Sequence, residues 1–268
     1  MGLCSQLFEQ LQAQAAILVT VHATRGSAPR EPGAWMAVFP HELVGTVGGG
    51  HLEWQALSHA RDLLLQGDRG EELVRYPLGP TLGQCCGGEV QLRFEPVTRT
   101  DIATLRVRLQ PVQTPVALFG GGHVGHALVQ VMGQLPMAVT WIDSRGGVFA
   151  TDLPANVRCE YSDPVQAAVA DIPSGSRVLV MSFSHAEDLE VVATCLQRQR
   201  VRGDLPYIGL IGSKSKWASF RTRLSARGFG DGELAHITCP IGITGIADKR
   251  PEVIAVAVAA QLLLLPLH

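Results

Sequence analysis

The sequence predicts an α/β protein in two parts: an N-terminal α+β domain over residues 1–110, then a doubly wound parallel sheet over residues 115–268. Three observations carry that expectation. In the first part, Val90, Leu92 and Phe94 alternate with polar neighbours, the pattern of a half-buried strand. In the second, apolar strand-length runs alternate with helix-length segments, which is the signature of βαβ units. Between them, Gln110-Pro111-Val112-Gln113-Thr114-Pro115 places prolines where neither a ladder nor a helix continues, and this marks the boundary.

The elements follow in order. Leu3, Leu7, Leu11 and Ala15 recur at helical spacing and predict a helix over 3–16. The apolar, β-branched run 16–22 predicts a strand, and Arg25-Gly26-Ser27-Ala28-Pro29-Arg30 is turn chemistry. A short strand near 35–39 leads to a glycine loop, Gly45-Thr46-Val47-Gly48-Gly49-Gly50. Leu52, Ala56, Ala60 and Leu63 then share one face of a helix over 51–66. Strands at 73–76 and 90–95 flank Gly83-Gln84-Cys85-Cys86-Gly87-Gly88, and a short helix over 101–109 closes the first domain. The second domain reads as strands at 116–119, 138–142, 158–161, 177–181 and 207–211, with helices at 123–135, 187–200 and 214–227. A last helix opens at Pro251-Glu252, with proline in its first turn. It is apolar on most sides and is expected to be buried, between domains or between subunits.

Charged residues make up 17% of the 268, below the roughly 25% of an average chain, which favours a compact protein with extensive buried surface. The formal net charge of -2 gives no drive toward nucleic acid or anionic membranes. The longest apolar run, 253–265, is broken by Gln261 and is shorter than the roughly 20 residues of a membrane span. Six scattered cysteines and an N-terminus without a signal-peptide pattern point to a reduced, cytoplasmic protein rather than a disulfide framework.

Gly120-x-Gly122-x-x-Gly125 follows a strand and opens a helix, the context of a Rossmann-like phosphate-binding turn. Gly120 makes the turn, Gly122 lets backbone amides approach a phosphate, and Gly125 lets helix and strand pack closely. The helix N-terminus then favours an anion. His123, in the first turn, is a candidate ligand contact. Asp143 ends the next strand, where an acid would accept bonds from ribose hydroxyls, and Arg145 stands where it can reach a phosphate. Any phosphate-bearing cofactor suits such a turn. Gly48-Gly49-Gly50-His51 echoes Gly120-Gly121-Gly122-His123, but the flanking patterns differ and the echo is read as coincidence.

Gln84, Cys85 and Cys86 form the second candidate binding segment, with glycines on both sides that leave the main chain and sulfurs open to a ligand. Adjacent thiols admit several chemistries: a strained vicinal disulfide, soft metal ligation, or sulfur-handling nucleophiles. The lack of a second Cys or His pair at finger-like spacing argues against a structural zinc site. Consecutive residues on an extended segment point to opposite faces, so one functional thiol is expected, either Cys85 or Cys86.

Taken together, these segments resemble the XdhC/CoxI family of accessory proteins for molybdenum hydroxylases. The marks are the 25–30 turn, Gly45 through Glu53, the Cys85-Cys86 loop, Gly120 through Gly125, Ile142-Asp143-Ser144-Arg145, Gly209 through Lys216, and Cys239-Pro240-Ile241-Gly242-Ile243. Where the family often carries threonine, this chain has Ser182, to which no role is assigned. The resemblance implies a dimeric, non-enzymatic chaperone that binds the molybdenum cofactor, a molybdopterin-type compound. It would support sulfuration with a cysteine desulfurase and deliver the product to the apo xanthine dehydrogenase molybdenum subunit. Cys85 or Cys86 would meet the metal or its exchangeable sulfur. Two other functions compete: an NAD(P)-dependent oxidoreductase, although no catalytic acid–base pair is legible beside the turn, and a scaffold joining desulfurase and dehydrogenase without cofactor.

Overall fold

A computed structural model describes residues 3–67, 70–78, 88–109 and 112–266. The chain divides into two units, residues 1–110 and 111–268.

The first unit is built on a five-stranded antiparallel sheet in the order β3-β2-β1-β5-β4. Its elements are α1 (Leu3–Leu11), β1 (Ala16–Arg25), β2 (Trp35–Val38), β3 (Leu43–Gly45), α2 (Gly50–Gln66), β4 (Glu72–Pro77), β5 (Glu89–Val97) and α3 (Ile102–Arg108). Strand alternation sends Ile17, Val19, Val21, Val90, Leu92 and Phe94 to one face, where Leu52, Ala56 and Ala60 of α2 cover them. The opposite face carries Leu18, Ala37 and Val97 against Leu7 and Leu11 of α1 and Leu105 of α3. Helix α1 is shorter than its spacing predicts because the chain is claimed at Ala16 by pairing with Val97. Strand β1 is longer than predicted for the same reason: its pairing with β5 runs on to Arg25–Glu89, through a register shift between Val21 and Ala23. Strand β3, three residues long, has too little pattern to be read from sequence.

The second unit holds a six-stranded, fully parallel sheet in the order β11-β10-β9-β6-β7-β8. Its elements are β6 (Thr114–Phe119), α4 (His123–Met132), β7 (Met137–Asp143), β8 (Val157–Tyr161), β9 (Arg177–Val180), α5 (His185–Arg202), β10 (Tyr207–Leu210), α6 (Lys214–Ser225), α7 (Asp231–Leu234), β11 (Ile237–Thr238) and α8 (Pro251–Leu263). The chain starts in the middle of the sheet, winds outward through β7 and β8, then returns to wind the other way through β9, β10 and β11. That is the doubly wound order with its switch point between β6 and β9. The central strands are covered on both faces and carry continuous apolar runs, Val116–Phe119 in β6 and Val178–Val180 in β9, whereas the edge strand β8 is largely exposed. Val116 and Leu118 pack with α4 and α8, while Ala117 and Phe119 pack with α5 and α6.

Helix α4 stops three residues before its predicted end. Gly133 lies against Pro154, and the Asn156 side-chain amide donates to the carbonyls of Met132 at 3.0 Å and Met137 at 2.7 Å. A 3-10 turn at Val165–Ala170, helix α7 and strand β11 have no counterpart in the sequence reading. Within the single chain, helix α8 is buried along part of its surface. Ala255, Ala257, Val258, Ala259 and Leu262 are buried, while Val256 and Leu263 are exposed. Its C-terminus is held by the buried Arg177, whose guanidinium donates to the carbonyls of Leu262, Leu265 (3.1 Å) and Pro266 (2.8 Å). A cation at that end also opposes the helix dipole favourably. Arg177→Met orphans those carbonyls and is expected to cost at least ~2 kcal/mol. Hydrogen exchange should quicken first at the amides of residues 260–265; unchanged protection there would show that the helix end does not depend on Arg177.

Candidate functional site

The glycine turn sits at the carboxyl ends of β6 and β9, where a doubly wound sheet opens its crevice. Gly120 has φ +128°, and a Cβ there would lie 2.1 Å from the Met181 carbonyl oxygen. No other residue allows the two strand ends to approach so closely. A Cβ on Gly125 would lie 2.2 Å from the Gly120 carbonyl oxygen, which also accepts the Trp141 indole N–H at 2.9 Å. Gly122, which precedes α4, differs from both. Its φ is -83°, and a Cβ there would meet nothing within 4 Å. The first-turn amides behind it have no intrahelical acceptor. Two glycines are therefore demanded by packing, and the third leaves the mouth of the turn open.

Asp143, at the end of β7, is 2% exposed. Its carboxylate accepts the Gly121 amide at 2.6 Å, the Arg145 amide at 2.8 Å, and Arg145 Nε and Nη2 at 2.9 and 3.0 Å. Burial pushes this carboxyl up, but the Arg145 guanidinium and the two amides outweigh it and hold the group below the usual carboxylate range. Both oxygens are thus occupied by the chain's own donors, and Arg145 neutralises the acid beside the turn. Arg145 also lies over the exposed Phe183 ring, 4.8 Å from its centroid. His123 is exposed and lines a cavity of about 460 Å³ between α4 and α8, with His126, Gln130, Pro251 and Glu252.

Sequence reasoning missed the groups on the other wall of the switch point. The Ser182 amide donates to Asp188 Oδ1 at 2.7 Å, and Lys216 Nζ donates to Asp188 Oδ2 at 2.6 Å and to the Ile211 carbonyl at 2.8 Å. Gly212 clears the path for the lysine stem, since a Cβ there would lie 2.6 Å from Lys216 Cδ. Burial pushes the nearby Cys239 thiol up; Lys216 opposes that and Asp188 adds to it. The signal available in the sequence was the pair Gly212 and Lys216, four residues apart at the end of a strand.

In the first unit, Gln84, Cys85 and Cys86 lie outside the described residues, and the structure brings their flanks to a defined place. The Leu78 amide donates to the Gly88 carbonyl at 2.7 Å, and a Cβ on Gly88 would lie 2.3 Å from the Ser27 carbonyl oxygen. Gly48 packs on Pro29 in the same turn. Glu53 collects the glycine loop, accepting from the Thr46 hydroxyl and from the amides of Val47 and Gly49, both at 3.2 Å. The segments 25–30 and 45–53 and the end of the thiol loop are therefore one assembly. The echo between the two Gly-Gly-Gly-His stretches is one of letters. Gly48, Gly49 and Gly50 all have positive φ, while in the second stretch only Gly120 does. Among the described residues no cluster of three or more His, Cys, Asp or Glu is placed to hold a metal, and no helix is long and apolar enough to cross a membrane.

Comparison with known proteins gives this architecture a family. The profile described as the XdhC Rossmann domain matches residues 116–262, more than half of the chain. The chain belongs to the XdhC/CoxI family. A second profile, XdhC and CoxI family, matches residues 10–77. The uncharacterized protein YqeB of Escherichia coli (strain K12) is 23% identical over 248 residues, a match that takes in 90% of this chain and 41% of that relative's length. A crystal structure described as a xanthine dehydrogenase from Bacillus halodurans superposes with a TM-score of 0.78 at 20% identity, over 98% of this chain and 95% of that one. That likeness is one of fold.

Two expectations follow from this geometry. Gly120→Ala should cost more than ~2 kcal/mol, because backbone must move, whereas Gly122→Ala should cost no more than about 1 kcal/mol, the difference between Gly and Ala at an N-cap. Denaturant unfolding separates the two. The depressed Asp143 carboxyl contributes stability that is present above its unfolded pKa of about 4 and lost as pH falls through its folded value. The gap in thermal midpoint between wild type and Asp143→Asn should therefore shrink below about pH 4; a constant gap would mean that the charge on Asp143 does not matter.

Proposed function

We propose that this family member is an accessory factor in the maturation of xanthine dehydrogenase, which carries the molybdenum cofactor as cargo. In this reading it binds the molybdopterin-type compound, supports its sulfuration with a cysteine desulfurase, and delivers it to the apo molybdenum subunit. The observation that carries most weight is the open mouth at Gly122. Nothing crowds it within 4 Å, the helix end behind it favours an anion, and the Asp143 carboxylate bonded to the turn is neutralised by Arg145. The residues present thus fit a phosphate. Gly122 and the amides of His123 and Val124 bind it, and Asp143 acts by fixing the Gly121 amide rather than by touching the ligand.

When bound, the cofactor would supply a molybdenum centre with an exchangeable sulfur. Cys85 or Cys86 is proposed as a metal ligand or as the thiol that handles sulfur, on the sequence and the family resemblance. A nicotinamide dinucleotide could use the same turn, but it also needs a carboxylate free for ribose hydroxyls. Asp143 has both oxygens engaged within the chain.

The test is anaerobic binding of molybdenum cofactor, with pterin and metal both quantified, to wild type, Cys85→Ala and Cys86→Ala. Retention by wild type and loss of metal, or of sulfur transfer, in one variant assigns the thiol. Full retention and transfer in both variants would remove the cysteines from the proposal. Wild type that retains no cofactor, yet binds NAD(H) selectively with turnover, would replace the proposal with the oxidoreductase reading.

A further inference from the structure

One group on the far wall of the switch point has no explanation in folding. Ser182 Oγ is buried and has no hydrogen-bond partner among the described residues. A buried hydroxyl without a partner is unfavourable, and where one persists a ligand is a natural acceptor or donor for it. Its position is not remote from the glycine turn: a Cβ on Gly120 would lie 3.1 Å from the Ser182 amide nitrogen.

The second observation is the ammonium held by the same carboxylate that binds the Ser182 amide. Lys216 is in the first turn of α6, capped by Ser213, and curls back over that helix end. A cation there opposes the dipole of its own helix, so the placement is locally unfavourable. It is also largely desolvated, with side-chain exposures of 11% for Lys216 and 2% for Asp188. A buried ion pair is weak evidence for stability and stronger evidence for a positioned charge. Two of the three ammonium N–H groups are taken, by Asp188 and Ile211, and the Phe220 ring lies 5.4 Å away. The third has no oxygen acceptor among the described residues. Asp188 binds the Ser182 amide through one oxygen and Lys216 through the other, so a single carboxylate sets both donors relative to each other.

We infer that Ser182 and Lys216, held by Asp188, form a second polar subsite that receives an anionic or carbonyl oxygen of the ligand seated at the glycine turn. The inference rests on the cofactor-binding reading and deepens it: the glycine turn takes a phosphate, and this wall takes a further oxygen. Asp188 is a positioning residue, and the ligand contacts are Ser182 Oγ and Lys216 Nζ.

Two variants test it. Ser182→Ala removes only the unpartnered hydroxyl. Lys216→Met with Asp188→Asn removes both charges together and leaves an amide oxygen for the Ser182 N–H. Each is compared with wild type in thermal midpoint and in affinity for two probes under anaerobic conditions: molybdenum cofactor released from a molybdenum hydroxylase, and inorganic pyrophosphate. Ser182→Ala is expected to keep or raise the midpoint while weakening cofactor binding about tenfold, the loss for a hydrogen bond to a charged group. The double variant should weaken it further. If pyrophosphate binding weakens in parallel, the oxygen received is a phosphate oxygen; if only the cofactor is affected, it lies at the pterin end. Both results support the subsite. Wild type that binds cofactor while both variants bind it equally well overturns the subsite and leaves the function standing. Wild type that binds neither probe overturns the function, and the subsite with it.

Discussion

The C-terminal unit depends on one close approach, that of the Gly120 backbone to the Met181 carbonyl at the point where the sheet changes direction. Only a residue without Cβ and with φ +128° satisfies it. Everything that gives the crevice its chemistry is then arranged around that contact. The Gly120 carbonyl is fixed by the Trp141 indole, the next amide by Asp143, and the start of α4 follows at Gly122. On the other side, Met181 leads directly into Ser182, and so into the Asp188–Lys216 pair. The turn and its opposing wall are thus set by backbone packing before any side chain is chosen.

The chain is sparing with charge, and it places several of its charges inside. Arg198 is 8% exposed and joins Asp204 to the carbonyls of Val169 and Ile172. Arg177 closes the end of α8. Lys216 and Asp188 bridge the ends of two strands. In each case the charged group gathers loose backbone ends: a helix terminus, a 3-10 turn or a strand end. Such groups are costly to bury and are tolerated because each satisfies several partners at once. The exposed surface carries the complementary, weaker pairs, such as Arg227 with Glu190, whose contribution is small in water.

Much of this was legible in the sequence, for physical reasons that also explain what was not. The doubly wound sheet announced itself because strands buried on both faces are apolar throughout, as in Val116–Phe119. The glycine turn was readable because its three positions have separate steric jobs. Element ends were less legible. Helix α1 stops where Ala16 finds a strand partner 81 positions away, and no local pattern encodes that pairing. Asp143 was identified as important, but its partners come from the turn and from its own neighbour, which only coordinates reveal. Ser182 drew notice only as a departure from the family's usual threonine, since an unpaired hydroxyl is defined by what surrounds it. Gln84, Cys85 and Cys86 fall outside the described residues, so their part in the site rests on the sequence alone.

Trp141 has a consequence for how this protein can be watched. Its indole is completely buried, edge-on to the His126 and Phe149 rings, and its N–H is spent on the carbonyl that begins the glycine turn. Trp54, in the other unit, is largely exposed and stacked on His51. These two of the chain's four tryptophans sit in opposite solvent environments, while Trp35 and Trp217 are half-buried. With Trp35, Trp54 and Trp217 replaced by phenylalanine, the emission of Trp141 alone reports the turn, giving the crevice an intrinsic optical probe that needs no label.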